Sequence, residues 1–132
     1  MKVTSSQSGD AVIAAVSGRV DSVNATSFEQ ELSKAMEGGS SRLVVDCGEL
    51  SYISSAGLRI LPLAVKKTRA QGGGVALCQV QDHVREVLEV SGFTRIMTVR
   101  DTVEQAIDSV RDRFGFEAIG KGRGYVKDAG RG

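Results

Sequence analysis

The sequence predicts a single α/β domain: one mixed, mostly parallel β-sheet of about five strands with about four helices. Apolar periodicity alternates along the chain between short buried runs and helical stripes, in the order ββαβαβαβα. Strands separated by helices need right-handed crossovers, and those build a largely parallel sheet. A length of 132 residues with 41% apolar side chains suffices for one hydrophobic core but not two.

Val3–Gln7 reads as an edge strand that turns through Ser8-Gly9-Asp10 into Ala11–Val16. The latter, AVIAAV, is an apolar run of six residues ended by Ser17-Gly18, as a buried strand would be. Asp21 and Ser22 are both good helix N-caps, and Ala25, Phe28, Leu32 and Ala35 follow on one stripe. That spacing predicts a helix of about four turns stopped at Gly38-Gly39. Leu43-Val44-Val45 is the next buried strand and ends in Asp46-Cys47-Gly48. A second helix follows Ser54-Ser55, with Leu58, Leu61 and Val65 on one face and Ile60 and Ala64 beside them. Pro62 lies too deep to be a first-turn proline and should kink it. Beyond Gln71-Gly72-Gly73-Gly74, Val75–Cys78 forms another buried strand. A third helix starts near Asp82, turns Val84, Val87 and Leu88 inward and stops at Gly92 as its C′ residue. Ile96–Val99 is the last strand. Asp101-Thr102-Val103-Glu104 resembles a capping box, opening a helix that carries Val103, Ala106, Ile107 and Val110. The domain therefore spans residues 1–114. Residues 115–132 hold six glycines, four basic and two acidic groups with no apolar period, and read as a mobile tail.

Several function classes drop out on composition. A net charge of +1 makes no electrostatic case for direct nucleic-acid binding. The longest apolar run, six residues, is far short of the ~20 that cross a bilayer, so no membrane insertion is expected. Residues 1–10 are polar and lack a signal-peptide core, and the expected location is the cytoplasm. Two cysteines, Cys47 and Cys78, make no disulfide scaffold and no C-x-x-C zinc spacing, and read as buried free thiols. His83 is alone, so no metal site is expected. Asp46 invites comparison with a phospho-accepting receiver aspartate. The acidic pair and the lysine of that chemistry are missing, and Asp46 is expected to accept hydrogen bonds from loop backbone. Ser55, His83 and Asp46 could be assembled into a catalytic set on paper, but no G-x-S-x-G elbow supports it. No catalytic residue and no cofactor are expected.

The densest polar feature is Ser51–Arg59, placed where a strand gives way to a helix. In open α/β sheets that edge is where ligands and partners bind. One of the adjacent serines has a structural role as the N-cap. If Ser54 caps, Ser55 is the first helical residue, and its hydroxyl stands at the rim of the helix. Ala56 and Gly57 carry almost no side chain and leave access to it open. A phosphoryl group there would add about −1.5 to −2 charges against the positive end of the helix dipole.

Three segments resemble a known family. Gly18-Arg19-Val20-Asp21-x-x-x-Ala25, Ser54-Ser55-Ala56-Gly57-Leu58 and Val87-Leu88-x-x-x-Gly92-Phe93 look like the landmarks of the anti-sigma factor antagonists. These are the bacterial branch of the STAS domains (sulphate transporter and anti-sigma factor antagonist). The resemblance covers about residues 3–112 and implies the STAS fold. It also implies a small binding protein without enzymatic activity, whose serine is phosphorylated by an anti-sigma factor with ATP-dependent serine-kinase activity. A PP2C-type phosphatase reverses the modification. The unphosphorylated form binds the anti-sigma factor and frees the sigma factor.

The family's phosphoacceptor falls on Ser55. Its common preceding Asp is Ser54 here, and its following Ser or Thr is Ala56, differences that bear on which kinase recognises the site. Asp21 matches a family position near the partner surface, and N-capping remains the alternative role for it. The expected partner surface comprises Asp21, Ser22, Ser54, Ser55, Ala56, Gly57, Leu58 and Arg59. Two other readings fit the same resemblance: a STAS regulator of a target other than a sigma factor, and a STAS subunit of a larger assembly such as a transporter.

Overall fold

The computed structural model describes residues 1–115, with side chains described through Arg111. The remainder of the Gly-rich segment assigned to a tail lies outside the described residues. An N-terminal hairpin pairs β1 (Lys2–Ser8) with β2 (Ala11–Val20) antiparallel, from Lys2↔Ser17 to Ser8↔Ala11. After α1 (Ala25–Ala35) come β3 (Arg42–Ile53), the short α2 (Ser55–Leu58) and α3 (Ile60–Ala70). The chain continues through β4 (Gly74–Cys78), α4 (Asp82–Val90), a 3₁₀ turn over Phe93–Arg95, β5 (Thr98–Arg100) and α5 (Val103–Gly115).

The five strands form one sheet in the order β1-β2-β3-β4-β5. Every pair after the hairpin is parallel, the mixed, mostly parallel sheet that the alternation predicts. Two clusters make up the core. On one face, Val12, Ala14, Val16, Leu43, Val45, Val75 and Leu77 pack with Phe28 and Leu32 of α1, Leu61 and Ala64 of α3, and Val84 and Leu88 of α4. On the other, Ala11, Val44, Ala76 and Cys78 pack with Ala106, Ile107 and Val110 of α5. Residues in even and odd positions of β3 and β4 thus serve opposite faces, which is why these strands read as unbroken apolar runs.

The structure moves several expected boundaries. β2 does not stop at Ser17-Gly18, nor β3 at Asp46–Gly48. Each strand supplies the other's hydrogen-bond partners through Ser17↔Glu49, Gly18↔Leu50, Arg19↔Tyr52 and Val20↔Ile53, with register shifts after Ala15 and Gly18. Their last apolar residues Val20, Leu50 and Ile53 are buried. α1 begins four residues after Asp21, with Asn24 as its N-cap, and ends at Ala35 after three turns. Pro62 breaks the second predicted helix into α2 and α3 at Arg59, since it has no N–H to donate to the Leu58 carbonyl. Gly92 does follow α4 as the left-handed C′ residue (φ +82°). Val87, expected inward, is 42% exposed, because Val84 and Leu88 alone fill the face that α4 turns to the sheet. Ile96, expected in the last strand, is exposed just before it. The capping box of α5 is shifted by one residue. Thr102 Oγ1 accepts from the Gln105 N–H at 3.1 Å, while Gln105 Oε1 accepts from the Thr102 N–H at 3.3 Å.

Candidate functional site

β2 and β3 run side by side and end at the same edge of the sheet, where the singled-out polar residues collect. The Ser54 N–H donates to the Val20 carbonyl at 2.9 Å, so the chain leaves β3 still clamped to β2. Ser54 is extended, and its Oγ accepts from the Gly57 N–H at 3.3 Å, the N-cap geometry. Ser55 is then the first residue of α2 and is exposed. Gly57 and Leu58 are buried and shape this segment from beneath. A Cβ on Gly57 would stand 2.7 Å from Val20 Cγ1 and 2.8 Å from Ile53 Cγ1, so only glycine lets α2 lie against the two strand ends. Ala56 is half-buried and Arg59 exposed at the break that Pro62 imposes. With α2 only four residues long, the helix dipole behind Ser55 is small.

The loop from β2 to α1 closes on itself. Asp21 Oδ1 accepts from the N–H groups of Val23 (3.0 Å) and Asn24 (3.2 Å). Asn24 Oδ1 accepts from the Asp21 N–H at 2.9 Å, and Asn24 Nδ2 donates to the Arg19 carbonyl at 2.9 Å. Asp21 therefore orders the loop and does not cap α1. Ser22 is exposed, and Val23 is 90% exposed.

Side chains from neighbouring elements finish the edge. The Arg19 guanidinium lies 4.2 Å from the centre of the Tyr52 ring, a cation–π stack across the β2–β3 ladder. Ser51 Oγ donates to the Gly18 carbonyl at 3.0 Å. From the start of α4, Gln81 Nε2 donates to the Gly48 carbonyl at 2.8 Å, and His83 Nε2 lies 2.6 Å from the Ser51 carbonyl. A carbonyl only accepts, so Nε2 carries the proton in this contact. Sequence reasoning placed the Gly18–Ala25 turn and Ser51–Arg59 at this edge, and with them Arg19, Val23, Asn24 and Tyr52 without giving them roles; it missed Gln81 and His83 altogether. The one available signal was Val23, an apolar residue off the α1 stripe.

Cys47 and Cys78 are free, buried thiols, and burial pushes each up to about 12, with the neighbouring thiol and Asp46 reinforcing Cys47. Both are protonated at neutral pH and unsuited to nucleophilic attack or metal ligation. Asp46 Oδ1 accepts from the Gly48 N–H at 3.0 Å, a backbone role as expected. Asp10 lies at the opposite edge, paired with Arg42 at 2.7 Å. Among the described residues, no three His, Cys, Asp or Glu side chains cluster closely enough to hold a metal ion. No described helix is long and apolar enough to cross a membrane. The arrangement offers a braced surface on which Ser22 and Ser55 both present exposed hydroxyls.

The STAS domain family model matches residues 2–106. A Bordetella bronchiseptica protein named as an anti-sigma factor antagonist, BtrV, is 43% identical over 106 residues, covering 80% of this chain and 91% of that protein. A Thermotoga maritima protein described as an anti-sigma factor antagonist superposes with a TM-score of 0.76 at 23% identity, over 83% of this chain and 94% of the other. The anti-sigma factor antagonist SpoIIAA in its unphosphorylated form superposes at 0.69 and 23% identity, over 84% and 97% of the two chains. The phosphorylated form of the Bacillus protein superposes at 0.61 and 22% identity, over 83% and 100%. At these identities the structures speak to the fold alone. The family match over most of the chain and the identity to BtrV add the lineage: the chain belongs to the STAS domain family, in its anti-sigma factor antagonist branch.

Proposed function

We propose that the chain is an anti-sigma factor antagonist that works by phosphorylation-controlled partner switching, with no catalytic activity or cofactor of its own. One observation carries the reading. Of the two adjacent serines, Ser54 spends its hydroxyl on the helix cap, while Ser55 presents an exposed hydroxyl on the edge that Asp21, Ser22 and Arg59 share. Unphosphorylated, this edge docks on a cytoplasmic anti-sigma factor that is itself a serine kinase, and a sigma factor is released. A phosphate on Ser55 places an unpaired charge in that interface. A cost of ~3–4 kcal/mol would weaken binding about 10²–10³-fold, enough for a switch. A PP2C-type phosphatase restores the docking form. The modified SpoIIAA is a precedent in the same fold for a phosphorylated form.

The test is phosphopeptide mapping of the chain from its own host, together with recovery of bound proteins. Phosphate on Ser55 and a kinase-like partner are the expected result. Ser55→Asp should abolish partner binding while the melting temperature stays nearly unchanged. Ser55→Ala should bind constitutively and accept no phosphate. Tight binding by Ser55→Asp would overturn the switch. Recovery of transporter components, or of a phosphorylated target other than an anti-sigma factor, would replace this reading with one of its two rivals.

A further inference from the structure

We propose that the chain binds a small anionic amphiphile, a medium-length aliphatic carboxylate, in a cleft between α3 and the segment that leads into β5. The site is separate from the docking edge. Thr98 pairs with Ala76 and Ala76 with Val44, near the start of β3, whereas Ser55 follows the end of that strand. The cleft arises from how the outer strand is covered. On one face of the sheet α5 packs on both β4 and β5, while on the other α3 lies over β4 and the 3₁₀ turn over β5. Between them is a space of about 300 Å³, the lower end of the range for small-molecule sites, lined by Pro62, Val65, Lys66, Arg69, Ile96 and Met97. Met97 is buried, Pro62 and Val65 are half-buried, and Ile96 is 53% exposed, so the walls are apolar and open to solvent.

Charge identifies the occupant. Pro62, Val65, Lys66 and Arg69 follow one another at i, i+3, i+4 and i+7, which sets both cations on the stripe of α3 that faces the cleft. Among the described residues neither cation has an ion pair or a side-chain hydrogen bond. No acid is close in sequence to balance them. Residues 50–81 hold Arg59, Lys66, Lys67 and Arg69 without one Asp or Glu, and residues 91–100 hold Arg95 and Arg100, again without one. In a chain of net charge +1, both walls of the cleft are therefore cationic only. A bare inorganic anion would leave the apolar walls unused, and no aromatic ring lines the cleft to stack on a base. Residues 115–132, with four basic and two acidic groups, carry the wrong sign to fill it. An aliphatic carboxylate uses both halves: its head accepts charge-assisted hydrogen bonds from Lys66 and Arg69, and its methylenes lie against Val65, Ile96 and Met97.

The test follows backbone amide shifts of the full chain by NMR during titration with butanoate, hexanoate and octanoate, each below its micelle concentration, and with 1-octanol. Saturable shifts are expected at Val65, Lys66, Arg69, Ile96 and Met97, with affinity rising about two- to fourfold per added methylene. The double variant Lys66→Gln/Arg69→Gln should bind octanoate at least about tenfold more weakly, and Ile96→Asp should not bind it measurably. All of these side chains are exposed, so melting temperatures should be nearly unchanged and the loss is one of binding. Octanol binding as tightly as octanoate would leave an apolar dent without anion recognition, and equal binding of butanoate would leave loose pairing with surface cations; either overturns the proposal. So does an unaltered affinity in the double variant, or the absence of saturable shifts up to the solubility of octanoate. Movement of the same amides with protein concentration alone would give the cleft to a second copy of the chain. A capped Leu-Glu-Leu-Glu peptide acting there at lower concentration than octanoate would give it to a protein segment.

Discussion

The two edges of the sheet, the one entered by the parallel strands and the one they leave, are built from similar materials toward different ends. At the entry edge, polar groups join one element to another. Asp10 in the β1–β2 turn pairs with Arg42 of β3 at 2.7 Å and with Arg111 of α5 at 3.9 Å, and Ser40 Oγ donates to the Asp10 carbonyl at 2.8 Å. At the exit edge, Asp21, Asn24, Ser51, Ser54, Gln81 and His83 bond backbone groups, fixing each loop in shape. What remains unspent there points to solvent: the Ser22 and Ser55 hydroxyls, the Val23 side chain and much of the Tyr52 ring. An edge that satisfies its polar groups against side chains of the other elements becomes a seam. An edge that satisfies them on backbone, within its loops and between neighbouring elements, becomes a rigid surface free to meet something else.

Glycines at the two edges allow the sharpest break of this comparison. Gly73 passes so close to the Ser41 carbonyl that an added Cβ would collide with backbone, whereas on Gly57 it meets only the side chains of Val20 and Ile53. Gly73→Ala should cost about 3 kcal/mol or more, since main chain cannot step aside. Gly57→Ala should cost about 1–3 kcal/mol and also tilt α2, weakening partner binding. Urea midpoints compare the two, and a larger loss for Gly57 would reverse the assignment of the rigid constraint.

The thiols probe the middle of the sheet that both edges share. Each is raised from 9.0 to about 12 in the fold, so between those values the unfolded chain ionises while the native state does not. Stability is then unaffected below about pH 9 and falls as pH rises toward about 12, by up to about 1.4 kcal/mol per pH unit for each thiol. Denaturant midpoints from pH 8 to 10.5 measure the slope, and Cys47→Ala should reduce it by roughly half its thiol-dependent part. An unchanged slope would mean that the native thiols ionise normally.

The alternation of strands and helices was legible because burial imposes a period on each element, as Phe28 and Leu32 show for α1 and Leu43–Val45 for β3. Where the ladder carried a strand past its apolar run, as with β3 from Gly48 to Ile53, nothing in the local pattern announced it. Pro62 announced its disturbance but not its form, since the loss of one donor broke the helix at Arg59 where a kink was expected. At the site, capping chemistry required one of Ser54 and Ser55 to cap the helix, the family resemblance singled out Ser55, and the structure gives the cap to Ser54. Asp21 stayed ambiguous, because the same carboxylate can cap a helix or close a loop, and Asn24 three residues on decides between them. The outward placement of Val23 and Val87 depended on what their neighbours left uncovered, a tertiary property that one sequence does not carry.

Asp21→Ala tests whether the exit-edge loop is shaped by its own polar groups. It removes an acceptor from two backbone N–H groups, at an expected cost of about 1 kcal/mol. Asp21→Asn keeps an Oδ1 and should retain most of that stability. The larger effect should be local, as faster amide exchange at Val23 and Asn24 and weaker partner binding. Equal binding by Asp21→Ala and wild type would mean that the loop's rigidity does not matter to docking.

The smallest effect belongs to the entry edge. Asp10 is 61% exposed at its side chain and Arg42 24%, so their ion pair is largely screened by water despite its 2.7 Å contact. Asp10→Asn preserves the shape of the turn and the carbonyl that Ser40 bonds, removing only the charge. The loss should stay below about 1 kcal/mol and shrink as salt is raised, because exposed pairs are worth little and are screened by added ions. Partner affinity should not change at all, since nothing at this edge reaches Ser55. A drop in affinity with Asp10→Asn would contradict the division of labour between the two edges, because it would make the seam part of the docking surface.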